Sequence, residues 1–74
     1  MKKTRAKFTV EWLKKTTDGS EIHLVPVTSG SAENESFFKW TPYGSIDIGV
    51  VNKEAVAMFE PGEEYYIDFV KVEV

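Results

Sequence analysis

The sequence contains no cysteine, and this absence excludes several kinds of site at once. Without thiols the chain can form no disulfide, no thiolate metal centre and no cysteine nucleophile. A small domain that lacks these cross-links has to rely on its hydrophobic core or on association with another chain. The absence of cysteine also favours a cytosolic or virion setting over a secreted one.

Long apolar runs are missing as well. The longest run, 55–59, has five residues, whereas a membrane span needs about 18. Residues 1–3 resemble the start of a signal peptide, but Lys7 and Glu11 interrupt the apolar segment that would have to follow. We therefore expect neither a secretory leader nor contact with a membrane.

Positive charge is scarce outside one end of the chain. The net charge of the 74 residues is −3, but residues 1–15 carry +5 and residues 16–74 carry −8. An acidic balance of this kind argues against nucleic acid as the main partner. The basic segment is typical of a solvated strand edge, where lysine prevents unwanted pairing. A contact with phosphate or with an acidic partner is the alternative.

The hydrophobic pattern predicts an all-β chain. Residues 5–13 alternate between polar and apolar, which is typical of a half-buried strand, and the predicted inner face carries Ala6, Phe8, Val10 and Trp12. Asp18-Gly19 is a hairpin signal, so we expect a second strand over 20–27. Residues 28–34 are predicted to be a loop. Further strands are predicted over 36–40 and 45–51, with a final one after the Pro61-Gly62 turn.

One segment departs from strand periodicity. Asn52 can cap a helix, and Ala55, Met58 and Phe59 have helical spacing, so we expect one or two helical turns before the last strand. The sum is a single domain over residues 1–74, a small barrel or roll of five strands. An SH3-like plan is preferred because it has a helical turn in this place, and an OB-like barrel is the alternative.

The catalytic inventory is small. His23 is the one histidine, and no serine or threonine stands in a pattern that would combine a nucleophile, a base and an orienting group. The carboxylates follow no metal-coordination spacing, and the five glycines are too scattered for a phosphate-binding loop. We expect a non-enzymatic protein that needs no metal and no cofactor.

The aromatic residues are the strongest candidates for a binding role. Four of them fall on apolar faces and are predicted to pack in the core together with Ile67: Phe8, Trp12, Phe59 and Phe69. A second group lies around the turn at Pro42 or opposite the core face of the last strand, and it could form a ligand platform. This predicted platform consists of Trp40, Tyr43, Phe37 and Tyr66. The alternative is that Trp40 closes one end of the barrel.

The last strand changes phase near its end. Tyr65, Ile67 and Phe69 share one face, after which the apolar positions are Val70, Val72 and Val74. Either a bulge returns the valines to the core, or they form an exposed edge that pairs with another copy of the chain. In the second case we expect a homo-oligomer joined through the C-terminal strand.

Several motifs resemble a group of small uncharacterised proteins of tailed bacteriophages. The matching patterns are Ser-x-Glu-Asn-x-x-Phe at 31–37, Thr-Pro-x-Gly at 41–44 and Pro-Gly-x-x-Tyr-Tyr-x-Asp-Phe at 61–69. They consist of turn and core positions, so the resemblance implies a shared fold more than a shared chemistry. It also implies a location in the cytoplasm of the bacterial host, or in the virion.

Together these observations predict a phage accessory protein that binds a host factor or a small signalling ligand, and that acts as an inhibitor of host antiviral defence. Acidic small domains can occupy basic sites through charge complementarity, which suits the net charge of residues 16–74. A nucleic-acid-binding barrel is one alternative, based on the basic segment and the aromatic rings. A structural subunit of the virion is the other, based on the valine-rich end.

Overall fold

A computed structural model, which describes residues 3–73, contains four strands and two short helices. In chain order they are β1 (Lys3–Lys15), β2 (Ser20–Pro26), α1 (Ala32–Trp40), β3 (Ile46–Val50), α2 (Lys53–Val56) and β4 (Glu64–Val70). The prediction of a small β fold is confirmed, but within these residues there are four strands rather than five.

The four strands form one curled antiparallel sheet in the order β3-β2-β1-β4. The long strand β1 lies in the middle and pairs with β2 on one side and with β4 on the other. The first and last strands are therefore neighbours, while β3 and β4 lie at the two edges. The sheet curves as half of a barrel does, and β3 and β4 do not pair to close it within residues 3–73.

The core lies on the concave side of the sheet. Five side chains at its centre are buried: Ala6, Phe8, Val10, Ile22 and Leu24. Around them pack partly buried residues from every strand and from the segment after α2: Leu13, Ile46, Ile48, Val50, Phe59, Tyr65 and Ile67. The alternating pattern of β1 predicts its first three core positions correctly, since strand side chains point to opposite faces in turn.

Trp12 does not belong to this core, contrary to the sequence prediction. Along β1 the pairing partner of Val10 is Leu24, and the partner of Trp12 is His23, so one residue of β1 is left over between them. Such a β-bulge reverses which side chains face inward. Leu13 takes the inner position, and Trp12 turns to the convex face.

The predicted strand over 36–40 is wrong, because these residues belong to α1. Ser31 caps the helix, and its side chain accepts a hydrogen bond from the Asn34 backbone N–H at 3.0 Å. Glu33 in the first turn and Lys39 in the last turn suit the helix dipole. The predicted loop over 28–34 is correspondingly shorter.

The predicted helical turn before the last strand is confirmed. Asn52 caps α2 by accepting from the Ala55 N–H at 3.0 Å. The chain then turns at Gly62, whose φ of 88° suits the third position of a type II turn, and the Glu63 N–H donates to the Glu60 carbonyl across it.

The C-terminal segment leaves the sheet after Val70. Residues 71–73 form no strand, Val70 and Val72 are exposed, and Val74 lies outside the described residues. Phe69, predicted to lie in the core, is 55% exposed at the end of β4, which is an edge strand. In the part of the chain that the structure describes, no helix has the length and hydropathy of a membrane span.

Candidate functional site

A buried lysine organises the convex face of the sheet. Lys7 lies between two core residues of β1, so its side chain points away from the core, yet only 9% of the residue is exposed. Helix α1 covers it. The Lys7 ammonium donates to Glu33 and to the Asn34 side-chain oxygen, both at 2.7 Å, and lies 3.1 Å from Glu64. Three acceptors thus surround the three N–H donors of one ammonium group.

Asn34 connects the same helix to β4 and to the preceding loop. Its side-chain amide donates to Glu64 at 2.7 Å and to the Ser29 carbonyl at 3.1 Å. Because its oxygen accepts from Lys7, this buried amide is hydrogen-bonded at both ends. A fully satisfied polar network rigidifies the elements that it joins.

Tyr66 extends the cluster along β4. Its hydroxyl donates to Glu33 at 2.6 Å, and its ring contacts the ring of Phe37 with centroids 5.8 Å apart. The Arg5 guanidinium lies over the Tyr66 ring at 4.8 Å and donates two hydrogen bonds to Asp68, at 2.7 and 3.1 Å. We call Arg5, Lys7, Glu33, Asn34, Glu64, Tyr66 and Asp68 the convex cluster.

The charges of the convex cluster reinforce one another. The hydrogen bonds from Lys7 and Tyr66 lower the pKa of Glu33. The bond to Glu33 in turn raises the pKa of Lys7 and the pKa of Tyr66. These shifts favour the charged forms of Glu33 and Lys7 and the neutral form of Tyr66. Groups held in this way suit the attachment of α1 to the sheet better than proton transfer.

Two of the three sequence motifs described above, at 31–37 and 61–69, contribute residues to this cluster or contact it. Glu33, Asn34 and Phe37 belong to the first motif and lie on the side of α1 that faces the sheet, and Ser31 of the same motif caps the helix. Tyr66 and Asp68 belong to the last motif and lie opposite them on β4. Their common role here is to fasten the helix to the sheet.

His23 belongs to a second group of polar side chains on the same face of the sheet. The Trp12 ring stacks on it with centroids 5.0 Å apart and an angle of 10° between the ring planes. Its Nδ1 lies 2.5 Å from Asp47, and its Nε2 lies 3.4 Å from Glu11. Both ring nitrogens thus face carboxylates, and no serine or threonine hydroxyl is bonded to either within the described residues.

The structure separates the four residues of the predicted aromatic platform. Phe37 and Tyr66 contact each other and belong to the surface of the convex cluster. Trp40 and Tyr43 are 79% and 85% exposed, and no ring contact joins them to the other two within residues 3–73. The alternative in which Trp40 closes a barrel end is wrong, because its side chain lies in solvent.

Two features of this face were missed by sequence reasoning. The burial of Lys7 was missed because α1, which covers it, was predicted to be a loop followed by a strand. The partners of His23 were missed because the bulge was not foreseen. A helix signal was present in the sequence. Ser31 is a favourable N-cap residue, the first turn that follows it is acidic, and the last turn contains a lysine.

Neither metal ligation nor similarity to known proteins adds to this account. Among the described residues, no group of three or more histidine and carboxylate side chains is arranged to hold a metal ion. Comparison with the models of known protein families gives no match, and neither the curated proteins nor the solved structures contain a match for this chain.

Proposed function

We propose that this chain is a non-enzymatic bacteriophage accessory protein that acts by binding other proteins. One observation carries the proposal: the curled sheet is open, and apolar side chains follow its β4 edge. The inner face of the sheet is only partly covered, since the side chains of β3 and β4 that point inward remain half-buried.

The dimensions of the chain support an incomplete core. Its radius of gyration is 13.5 Å, whereas a compact chain of this length has about 11 Å. One principal extent is only 18 Å, against 38 and 37 Å for the others. A single sheet with two short helices has this shape. Such a chain gains stability when a partner covers the open side.

The occupant that fits the β4 edge is a second copy of the same chain. An exposed edge strand accepts another strand through backbone hydrogen bonds. In an antiparallel pairing centred on Ile67, Phe69 lies opposite Tyr65 of the second copy. Just beyond the paired segment, Lys71 of one copy comes next to Glu63 of the other, and within the segment no two like charges face each other. Opposite-charge and aromatic cross-strand pairs contribute roughly 0.2–1 kcal/mol each.

This pairing revises the sequence prediction of an edge formed by Val70, Val72 and Val74. Strand β4 ends at Val70, so the pairing segment is Glu64–Val70 and the later valines lie beyond it. With Ile67 at the centre, the apolar inner faces of the two sheets join into one. The second copy would then cover Phe69, the most exposed aromatic residue of β4.

In this proposal the protein works in the cytoplasm of the bacterial host, where it binds a host factor and inhibits antiviral defence. The excess of carboxylates in residues 16–74 supports a partner with a basic surface. A virion subunit is the alternative, and it would use the same edge to join copies. Nucleic acid has less support as a partner, because Arg5 and Lys7 of the basic segment are bonded to carboxylates of the chain itself.

The proposal includes the absence of catalysis. His23 has carboxylate partners on both nitrogens but no bonded nucleophile among the described residues. We expect His23→Ala to retain biological activity within a few-fold, provided that circular dichroism shows a folded protein. Loss of activity in a folded variant would contradict a purely binding role.

The arrangement of the strands supports an SH3-like plan as the finer fold assignment. We infer this plan because the last strand pairs with the first and a short helix precedes it. The OB-like alternative keeps some support, since α2 also follows the third strand. Both plans have five strands, and residues 3–73 form four of them.

Self-association is tested by multi-angle light scattering and sedimentation over a dilution series. We expect a dimer at micromolar concentration, disrupted by Phe69→Lys but not by Val72→Lys. Tyr43→Lys is the matched control, because Tyr43 is an exposed aromatic residue far from β4 in the sequence. A monomer at all concentrations would overturn the pairing.

The register has its own test. Lys71→Glu should weaken the dimer, because it creates two like-charge pairs, and adding Glu63→Lys should restore it. If the double variant is no tighter than the single one, the Ile67-centred register is wrong.

A further inference from the structure

A cavity of about 490 Å³ lies at the end of the sheet that carries the β1–β2 turn. Its volume is within the rough range of 300–1,000 Å³ for small-molecule sites. The turn forms one wall, and the segment from the end of β3 into α2 forms the other. The lining residues used below are Lys15, Asp18, Ser20, Val51, Lys53 and Val56. The cavity does not involve the β4 edge.

Ser20 is the first sign that this cavity receives a ligand. The residue is only 5% exposed, yet its side chain makes no hydrogen bond to any described residue. Its oxygen is not fully enclosed, since no side-chain nitrogen or oxygen of the described residues is both enclosed and without a partner, and Ser20 is one of the residues that line the cavity. Buried hydroxyl groups are normally hydrogen-bonded, so a donor or acceptor supplied from the cavity would complete this one.

Two lysines define the charge of the cavity. Lys15 comes from the end of β1 and Lys53 from the start of α2, so the fold brings them together from distant parts of the sequence. Neither forms an ion pair with a carboxylate in the described part of the chain, unlike Arg5 and Lys7. Asp18 is the one carboxylate among the described lining residues. The formal charge of the lining is therefore +1, in a protein whose net charge is negative.

The remaining wall is apolar. Val51 and Val56 line the cavity beside the lysines, and Val51 is largely exposed although it follows directly on a strand. Binding sites for small molecules combine apolar walls with a few polar groups that fix the orientation of the ligand. A flat ring system would cover the valines, while an anionic group reaches the lysines.

We propose that this cavity binds a nucleoside monophosphate. The ammonium groups of Lys15 and Lys53 neutralise the phosphate, and the Ser20 hydroxyl donates to one of its oxygens. The base lies against Val51 and Val56. Asp18 accepts a hydrogen bond from a ribose hydroxyl, and its charge disfavours ligands with further phosphates. This site is independent of strand pairing at β4.

The test is a titration of the intact protein with adenosine 5′-monophosphate, followed by ¹H–¹⁵N correlation spectra and calorimetry. We expect saturable shifts of the backbone amides of Gly19, Ser20 and Val51. Adenosine and inorganic phosphate should each bind at least about tenfold more weakly, a difference of roughly 1.4 kcal/mol. Equal binding of inorganic phosphate would overturn the nucleotide assignment and leave only a general anion site.

Variants identify the groups that carry the binding. The double variant Lys15→Gln, Lys53→Gln should weaken binding at least about tenfold, and Ser20→Ala should weaken it several-fold. Lys14→Gln is the matched control, since Lys14 precedes Lys15 on β1 but does not line the cavity. The spectra report whether each variant is folded. Absence of shifts at millimolar nucleotide, or shifts that survive the double variant, would overturn the proposal.

Discussion

Lys7 of β1 donates a hydrogen bond of 2.7 Å to the side-chain oxygen of Asn34 on α1, 27 residues away in the sequence. Asn34 is itself buried, and Glu33 and Glu64 complete the coordination of the same ammonium group. The bond therefore links a central strand, a helix and an edge strand in one place. Its removal affects the attachment of α1 more than the apolar core on the other side of the sheet.

Replacing Lys7 by methionine tests this role. The variant leaves the buried Asn34 oxygen without its donor and removes one partner each from Glu33 and Glu64. Unpaired buried polar groups are destabilising. We expect a lower urea midpoint and faster amide hydrogen exchange over 32–40 than over β1 and β2. Lys14→Met is the control, because Lys14 is exposed on the same strand. Equal midpoints for the two variants would show that the bond contributes nothing.

Stability should fall in acid because of Glu33. Lys7 and Tyr66 lower the pKa of Glu33 in the folded state below its ordinary value of 4.5. The stabilisation is thus complete above that value and is lost as the pH falls through the lower folded-state pKa. Between neutral and strongly acid pH, the free energy of unfolding in urea should decrease less for Glu33→Gln than for the original chain. Glu35→Gln, an exposed neighbour, should retain the original pH dependence.

The opposite limb of the pH profile should involve Tyr66 and Lys7. Their pKa values are raised in the folded state, mainly by the hydrogen bond to Glu33. Their contribution is therefore complete below the unfolded-state values and is lost as the pH rises through the folded-state values. We expect the free energy of unfolding of Tyr66→Phe to decrease less at alkaline pH than that of the original chain. Tyr43→Phe, which changes an exposed tyrosine, is the control and should unfold as the original chain does.

A single methyl group at Gly19 should be costly. A Cβ atom there would lie 2.2 Å from the Val50 carbonyl oxygen, so the β1–β2 turn would have to move away from β3. Overpacking of this kind costs about 1–3 kcal/mol. A Cβ atom at Gly49 meets nothing within 4 Å, which makes Gly49→Ala the matched control. Thermal unfolding should separate the two variants, and a stable Gly19→Ala would contradict the close approach.

The cap of α1 gives a fifth measurable effect. Ser31→Ala removes the hydroxyl that accepts from the Asn34 N–H, and loss of such a cap costs about 1 kcal/mol. Ser36→Ala changes an exposed serine inside the same helix and should be neutral or slightly stabilising, since alanine is the better helix former. The comparison of their urea midpoints checks the assignment of 32–40 as a helix.

The strands of this protein could be read from the sequence because their apolar residues alternate and their turns contain characteristic residues. Residues 20–27 and 45–51 were predicted within one or two residues of β2 and β3. The prediction failed for α1. Phe37, Phe38 and Trp40 are residues typical of strands, and the residue that the helix buries most deeply is polar, Asn34, so no apolar helical face marks it. Aromatic residues on a short helix carry no clear period, so strand and helix were not separable there.

The candidate sites depended still more on long-range contacts. Sequence reasoning grouped Trp40 with Phe37, although they occupy different surroundings, and it gave Lys7 the role of a solvated edge residue. A lysine is rarely buried unless it is paired. The pairing here needs carboxylates from α1 and β4, which no local pattern brings together.

The sequence by itself determined the antiparallel β character of the chain, the hairpin at Asp18-Gly19, the cap at Asn52 and the turn at Gly62. Each of these depends on neighbouring residues and on their backbone preferences. Only the tertiary structure decided that Trp12 turns outward, that Lys7 is buried beneath α1, and that Lys15 and Lys53 line one cavity. These outcomes follow from strand register and from contacts between distant segments, and a one-residue bulge is enough to exchange the two faces of a strand.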